Sequence, residues 1–224
     1  FDFYNWKTIQ EVFNEFSDFM QVTYNIGNKV LVSHAGVSVA WYVNQLLNTS
    51  TNILYKLNKE EECNTIEEAI EEFKKEAITI LPEIELVNGT IFEWKNNFYF
   101  IEDGKPYIVN TELDRISTFI NNLWNKESVK CFNFSENATT FSDTYGTSPT
   151  HGPMWIRPST LEEYNIFKGK ELFQVVGHTM VKKVSQIDNI FYVDCLQYSK
   201  ESLIVTIKDK EIIFQRNNGE EKVN

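Results

Sequence analysis

Hydrophobic positions in the first fifty residues predict a helix, a strand and a second helix. Apolar residues recur at three- and four-residue steps over 4–20, the period of an amphipathic helix. The β-prone run 29–33 follows the breaker Gly27 and ends at a His-Ala-Gly loop, as a buried strand does. Ser38 is then a suitable N-terminal cap for a helix over 39–47.

The middle of the chain predicts a helix, a small antiparallel sheet and another helix. Thr65-Ile66-Glu67-Glu68 has the form of a capping box, and the helical pattern continues to Ile80. Turn-forming pairs divide the next segment into short strands, and a helix follows over 113–124. Residues 126–153 are rich in Ser, Thr, Asn and Gly and predict a long loop. The four short strands are predicted at 83–87, 90–94, 98–102 and 106–109.

The final third predicts a run of strands. Residues 172–176 form a buried strand that ends at Gly177-His178. Further strands are predicted at 190–193, 202–207 and 211–215, the last two joined by a turn. The chain therefore combines helices and sheets, an α/β class.

Composition narrows the classes of partner. The chain has 224 residues, of which 42% are hydrophobic, enough for one large or two small domains. Its net charge of −11 repels a phosphate backbone, which argues against a general nucleic-acid binder. No apolar run reaches the roughly 18–20 residues of a membrane span, and no signal peptide is visible. Three widely spaced cysteines (Cys63, Cys131 and Cys195) favour a reducing compartment, so we expect a cytoplasmic protein without a membrane partner.

Two of the three histidines share one local setting. His34 and His178 each follow a predicted buried strand and stand beside small residues. Ligands in α/β sheets bind beyond the carboxyl ends of strands, and neutral imidazole is a favoured ligand of transition metals. Gly36 and Gly177 would let the backbone crowd close. The alternative interpretation is two satisfied core histidines at strand ends.

Arg157 is a candidate anion-binding residue. It lies between Ile156 and Pro158 on a segment that also contains Trp155, so its guanidinium is expected to be oriented and partly dehydrated. Such a group suits bidentate capture of a phosphate or carboxylate. The alternative is an arginine packed on Trp155 and paired with an ordinary carboxylate.

Together these segments resemble the C-terminal motifs of the calcineurin-like metallophosphoesterases. The likeness is greatest to the bacterial and phage phosphatases of the serine/threonine protein phosphatase type, and it covers about 22–45 and 150–216. The spacing between Arg157 and His178 fits the family, and Asp194 lies in a segment similar to its last strands. The motifs occur in the family's order as Val32-Ser33-His34-Ala35-Gly36-Val37-Ser38, Trp155-Ile156-Arg157-Pro158-Ser159 and Val175-Val176-Gly177-His178-Thr179.

The resemblance implies a role for each of these residues. His34 and His178 would be ligands of one metal of a binuclear centre of Mn, Fe or Zn. Arg157 would clamp the phosphate of a phosphorylated substrate, and Asp194 would orient a histidine from behind. The implied activity is that of a phosphatase, a hydrolase in which a metal-bound hydroxide attacks a phosphate ester.

The sequence departs from the family pattern in two ways. The N-terminal motifs GDxHG, GDxxDRG and GNH(D/E), which carry the remaining metal ligands, are absent, and the sequence opens on Phe1 without an initiator Met. We therefore expect an upstream segment or a second chain to supply those ligands. The interval between His34 and Arg157 is also long for the family, so 46–149 is predicted to be an α+β insertion placed where it could cap the site.

The predicted architecture is thus the second half of a two-sheet α/β sandwich, formed by 1–45 and 150–224. His151 lies just before the arginine segment, where it would either approach the leaving group or be simply solvated. Two other functions remain open: a metal-free binding or regulatory domain, and a mononuclear hydrolase. The mononuclear hydrolase would complete its site with Asp143 or Asp194.

Overall fold

The computed structural model describes residues 21–51, 53–57, 62–78, 86–126, 145–208 and 211–217. Within these ranges the chain is mixed α/β, with three sheets and four helices, which confirms the predicted class at this level. In chain order the elements are β1 (Thr23–Ile26), β2 (Val30–Ser33), α1 (Val39–Leu47), β3 (Leu54–Lys56), α2 (Ile66–Ile78), β4 (Ile91–Trp94), β5 (Asn97–Glu102), β6 (Lys105–Ile108), α3 (Leu113–Lys126), α4 (Pro158–Glu163), β7 (Phe173–Val176), β8 (Ser185–Ile187), β9 (Ile190–Tyr192), β10 (Ser202–Lys208) and β11 (Glu211–Asn217).

A five-stranded sheet with the order β1-β2-β7-β9-β8 forms the centre of the molecule. Strands β2, β7 and β9 are parallel, while β1 and β8 are antiparallel to their neighbours at the two edges. The three parallel strands are short apolar runs, as expected for strands covered on both faces. Their carboxyl ends lie at one edge of the sheet, where the loops carrying the candidate residues begin.

Helices α1 and α3 cover one face of this sheet. Ser38 caps α1, its hydroxyl accepting a hydrogen bond from the backbone N–H of Trp41 at 3.0 Å, and Trp41 is fully buried in the core. The amide of Asn121 fastens α3 to β1: its Oδ1 accepts from the N–H of Val22 at 3.0 Å and of Thr23 at 3.1 Å, and its Nδ2 donates to the Thr23 carbonyl at 2.9 Å. These bonds fix the helix against the sheet edge.

The hairpin β10–β11 covers the opposite face. Phe214 packs against Phe191 and Phe173, with ring centroids 4.3 Å and 4.8 Å apart. Leu203 and Val205 add to the same apolar layer. Alternate residues of both hairpin strands point to solvent, so the hairpin follows the period-two pattern of a half-buried sheet.

The four-stranded sheet β3-β4-β5-β6 packs against α2. The hydroxyl of Thr65 accepts from the N–H of Glu68 at 3.2 Å, whereas the Glu68 carboxylate accepts from the N–H of Asn64 at 2.8 Å rather than from that of Thr65. Thr65 is therefore the capping residue, as predicted. The reciprocal hydrogen bond of the capping box is shifted by one residue, to the N–H of Asn64. Strands β4, β5 and β6 pair antiparallel, as predicted for 90–94, 98–102 and 106–109. Strand β3, which was not predicted, pairs parallel to β4.

Most predicted elements within the described ranges are confirmed, and the differences concern short segments. The span of α1 is that predicted, and α3 extends two residues further than predicted. The sequence patterns did not predict β1, β3, β8 or α4, because segments of three to six residues that are not continuous apolar runs are too short to establish a period. The predicted helix over 4–20, most of the strand 83–87 and most of the loop 126–153 lie outside the described residues.

Part of the predicted insertion 46–149 shares the central core. Helix α3 packs on β1, and Phe98 and Phe100 of β5 belong to the same buried cluster as Leu31 and Trp41. This segment is thus joined to the five-stranded sheet by apolar packing. Among the described residues, no helix has the length and apolarity needed to cross a membrane.

A glycine fixes the loop after β2. Gly36 has φ +109°, and a Cβ there would overlap the Cδ2 atom of the buried Leu161 on α4. We expect Gly36→Ala to lower the free energy of unfolding by about 2 kcal/mol or more, from overpacking added to backbone strain. Gly104→Ala is the matched control: its φ is +73° but nothing lies within 4 Å of the added Cβ. That variant should lose only about 1 kcal/mol, so equal losses in urea denaturation would contradict this role for Gly36.

Candidate functional site

His34 and His178 stand at the carboxyl ends of two adjacent parallel strands. Strand β2 ends at Ser33 and β7 at Val176, and these two residues are paired in register. The N–H of Gly177 donates to the carbonyl of His34 at 2.8 Å, which extends the pairing beyond the strands. The topology therefore brings the two histidines together, as their positions after buried strands led us to expect.

The two imidazoles meet through one nitrogen each. His34 Nε2 lies 2.9 Å from His178 Nδ1, and the rings are inclined at 62°. This distance is that of an N–H···N hydrogen bond. It is also close to the separation of about 3 Å between adjacent nitrogen ligands that lie about 2.0–2.1 Å from one metal ion in octahedral coordination. The distance between the two nitrogens is thus compatible with two neighbouring positions on a single metal.

Neither residue is a satisfied core histidine. His34 is exposed, and His178 is half-buried. The Nε2 atom of His178 is buried and has no hydrogen-bond partner within the described ranges. The interpretation of the pair as ordinary core residues therefore does not hold.

The environment of His178 keeps its ring neutral. Burial, together with the positive charges of Arg157 and His34, lowers the pKa of His178 from 6.5 to about 4, against a smaller opposite effect of Asp194. A neutral imidazole has a lone pair available for a metal at neutral pH. His178 also has φ +63°, a left-handed conformation that is uncommon outside glycine and is found at functional sites.

The two glycines near the histidines have different surroundings. A Cβ on Gly177 would meet the His34 carbonyl at 3.5 Å and Asp194 Cβ at 3.9 Å, which are ordinary contacts. The crowding at Gly36 is against Leu161, so it serves the packing of α4. We expected both glycines to let the backbone pack closely at the histidine pair. This reason is wrong, because the contacts at Gly177 are ordinary and the crowding at Gly36 is against α4.

Arg157 lies near His178, because its side chain is hydrogen-bonded to the following residue, Thr179. Its Nη1 donates to Thr179 Oγ1 at 3.1 Å, and its Nε donates to the carbonyl of Tyr145 at 3.2 Å. The guanidinium carbon is 5.5 Å from the centroid of the Trp155 ring, which in turn is 5.4 Å from the His178 ring. Arg157 is the N-cap of α4, and Pro158 fixes the start of the helix behind it.

The guanidinium is held by neutral groups. Of the alternative interpretation, the packing on Trp155 is observed, whereas no ion pair joins Arg157 to a carboxylate among the described residues. Two of its five N–H groups donate hydrogen bonds, one to the carbonyl of Tyr145 and one to the hydroxyl of Thr179. A guanidinium that is oriented and has no carboxylate partner among the described residues has the chemistry suited to binding an anion.

Asp194 and His151 differ in their relation to the site. Asp194 follows β9, and its carbonyl accepts from the N–H of Val181 at 2.8 Å. Its carboxylate raises the pKa of His178, yet the described contacts include no hydrogen bond between them. His151 is 1% exposed, which overturns the interpretation as a solvated loop histidine. Asp143 lies outside the described residues.

Thr179 and Ser33 were not predicted as site residues. Each is adjacent in sequence to a candidate histidine, which was the only available signal. The hydroxyl of Ser33 is buried and has no hydrogen-bond partner in the part of the chain that the structure describes. Over the same ranges, no group of three or more His, Cys, Asp or Glu side chains is arranged to hold a metal ion. The histidine pair is therefore at most part of a coordination shell.

Comparison with known proteins does not assign the chain to a family. No family model, curated protein or solved structure matches it.

Proposed function

We propose that the chain supplies half of the active site of a calcineurin-like metallophosphoesterase, a hydrolase of phosphate esters. The observation that carries the proposal is the 2.9 Å approach of His34 Nε2 to His178 Nδ1, beside a guanidinium that has no carboxylate partner among the described residues. The covering of a mixed sheet by a second sheet on one face and helices on the other is compatible with half of the family's sandwich.

Each residue has a defined task in this proposal. His34 Nε2 and His178 Nδ1 would hold one of two divalent ions of Mn, Fe or Zn. A metal centre of this type lowers the pKa of bound water and neutralises the charge that develops on the phosphate. In the hydrolysis, the oxygen of water forms a bond to phosphorus and the bond from phosphorus to the ester oxygen breaks. One proton of the water goes to the leaving alcohol, and the other stays with the phosphate.

Arg157 would hold the phosphate during this reaction. Thr179 and the carbonyl of Tyr145 fix its Nη1 and Nε atoms, so little side-chain entropy is lost when a phosphate binds. A bidentate guanidinium placed where charge develops favours the transition state over the ground state. Asp194 would act on His178 by electrostatic attraction, in keeping with its raising effect on the pKa of that residue.

The remaining ligands would come from an upstream segment. Two imidazoles are too few for a hydrolytic centre, and within the described ranges no acidic group completes them. This lack of acidic ligands also favours one other function, a binding domain that retains the fold without metal. The codons preceding Phe1 test the choice directly. If these codons encode the two aspartate-rich motifs and an Asn-His pair, the result supports the enzyme. If the reading frame lacks them, the result supports the binding domain.

An activity assay tests the proposed function itself. The protein, with any segment encoded upstream, is expected to hydrolyse p-nitrophenyl phosphate with added Mn²⁺ and to lose this activity when EDTA is added. Restoring Mn²⁺ should restore turnover, which separates metal removal from unfolding. Hydrolysis that is unaffected by EDTA, or no hydrolysis with Mn²⁺, Fe²⁺ or Zn²⁺, would contradict the proposal.

A further inference from the structure

A cleft of about 420 Å³ opens beside His34, where β2 ends and β1 begins. We call it the Trp124 cleft; the lining residues that matter here are Tyr24, Val32, Ser33, His34, Trp124 and Met154. Its volume lies within the range of small-molecule sites. His34 belongs both to the histidine pair and to the cleft wall, so the cleft adjoins the candidate phosphate site.

The lining of the Trp124 cleft selects for a neutral group with apolar surface. None of the described residues that line it is an Asp, Glu, Lys or Arg. Trp124, Val32 and Met154 supply apolar surface, and Tyr24, which is 60% exposed, stands at the opening. His178, Arg157 and Thr179, by contrast, are not among the described residues that line the cleft.

One polar group in the wall is unsatisfied. Ser33 is 7% exposed, lines the cleft, and its hydroxyl has no hydrogen-bond partner among the described residues. A buried hydroxyl left in this way is unfavourable, so native proteins rarely retain one without a reason.

The walls of the cleft are fixed before any ligand binds. Asn121 joins α3 to the start of β1 through three hydrogen bonds, and Thr23 Oγ1 lies 3.1 Å from Ser117 Oγ across the same interface. Trp124 is one turn further along α3 from this anchor. Preorganised walls reduce the ordering cost of binding.

We propose that the Trp124 cleft binds the aromatic group of the phosphate-ester substrate, while its phosphate lies against the histidine pair and Arg157. This inference rests on the proposed function and narrows it to esters of alcohols that carry an aromatic ring. The ester oxygen would lie at His34, where the two regions meet, and the ring would stack between Tyr24 and Trp124.

Two esters with alcohols of similar acidity test this substrate preference. The protein with any upstream segment and Mn²⁺ is expected to hydrolyse 2-phenylethyl phosphate with a kcat/KM at least tenfold above that for ethyl phosphate. Tyr24→Ala and Trp124→Ala should each reduce this ratio severalfold, chiefly through KM. Tyr24→Ala removes a largely exposed side chain, so it separates loss of binding from loss of folding. Tyr107→Ala, at an exposed aromatic on β6, is the control and should keep the ratio.

The NMR signals of the methionine methyl groups provide a measurement of ligand binding that does not need turnover. The chain has three methionines, of which Met154 lines the cleft and Met180 is exposed on the loop after His178. Added 2-phenylethanol is expected to shift the Met154 methyl signal, assigned with Met154→Leu, and to leave Met180 unchanged. A wild-type ratio near one, or a ratio that Tyr24→Ala and Trp124→Ala leave intact, would overturn the inference while the phosphatase stands. Hydrolysis of neither ester overturns both, and a Met154 shift would then show an aromatic-ligand site alone.

Discussion

Replacing Arg157 with alanine is expected to lower the turnover of a phosphate ester by roughly 10²–10³-fold in the protein with its upstream segment. The guanidinium is held at Nε and Nη1 by Tyr145 and Thr179, and no carboxylate among the described residues neutralises it. Its charge is therefore available to the substrate, where it counts most as negative charge develops. The loss should appear mainly in kcat, measured with p-nitrophenyl phosphate.

Three comparisons make this prediction specific. Arg157→Lys keeps the charge but loses the planar fork, so it should recover only part of the activity. Arg216→Ala, at an exposed position on β11, is the matched control and should leave turnover intact. Metal content should be the same in all these proteins, because Arg157 is not a ligand. Full turnover in Arg157→Ala would show that the assigned clamp is wrong.

Removing either histidine of the pair is expected to weaken metal binding about 100-fold or more, with a parallel loss of activity. The reason is that His34 Nε2 and His178 Nδ1 occupy adjacent positions, and an ion that loses one imidazole keeps too few protein ligands. His34→Gln and His178→Asn are suitable replacements, since asparagine tolerates the positive φ of residue 178. Mn²⁺ affinity measured by titration calorimetry gives the result.

The third histidine supplies the control for this experiment. His151 is buried but is not part of the pair, so His151→Gln should retain metal affinity even where its stability falls. Equal loss of affinity in all three variants would point to unfolding rather than to lost ligands. Unchanged affinity in both His34→Gln and His178→Asn would remove the basis of the metal site.

Local sequence signals predicted the central elements well. The Ser38 cap and the helical period gave the bounds of α1, and continuous apolar runs gave β2 and β7. The meeting of His34 and His178 followed from one further rule, that parallel strands share a carboxyl edge. These signals suffice because each depends on neighbours in sequence or on a topological rule.

Other features of the site depend on contacts distant in sequence, and the sequence could not predict them. The bond from Arg157 to Thr179 and the unpartnered hydroxyl of Ser33 arise only when loops and strands assemble. The parallel pairing of β3 with β4 is similar, since three residues show no period and their partner is set by packing. The Trp124 cleft likewise requires α3 to dock on β1, which Asn121 secures through long-range hydrogen bonds.

The central claim is that His34 and His178 bind one metal ion together, and pulsed EPR of the Mn²⁺-loaded protein with any upstream segment tests it most directly. The proposal predicts couplings from two directly bound imidazole nitrogens on one Mn²⁺, reduced to a single one in His34→Gln and in His178→Asn. A spectrum without nitrogen coupling, or one that both variants leave unchanged, would contradict it. The 2.9 Å approach of the rings would then be only a hydrogen bond between neighbouring side chains.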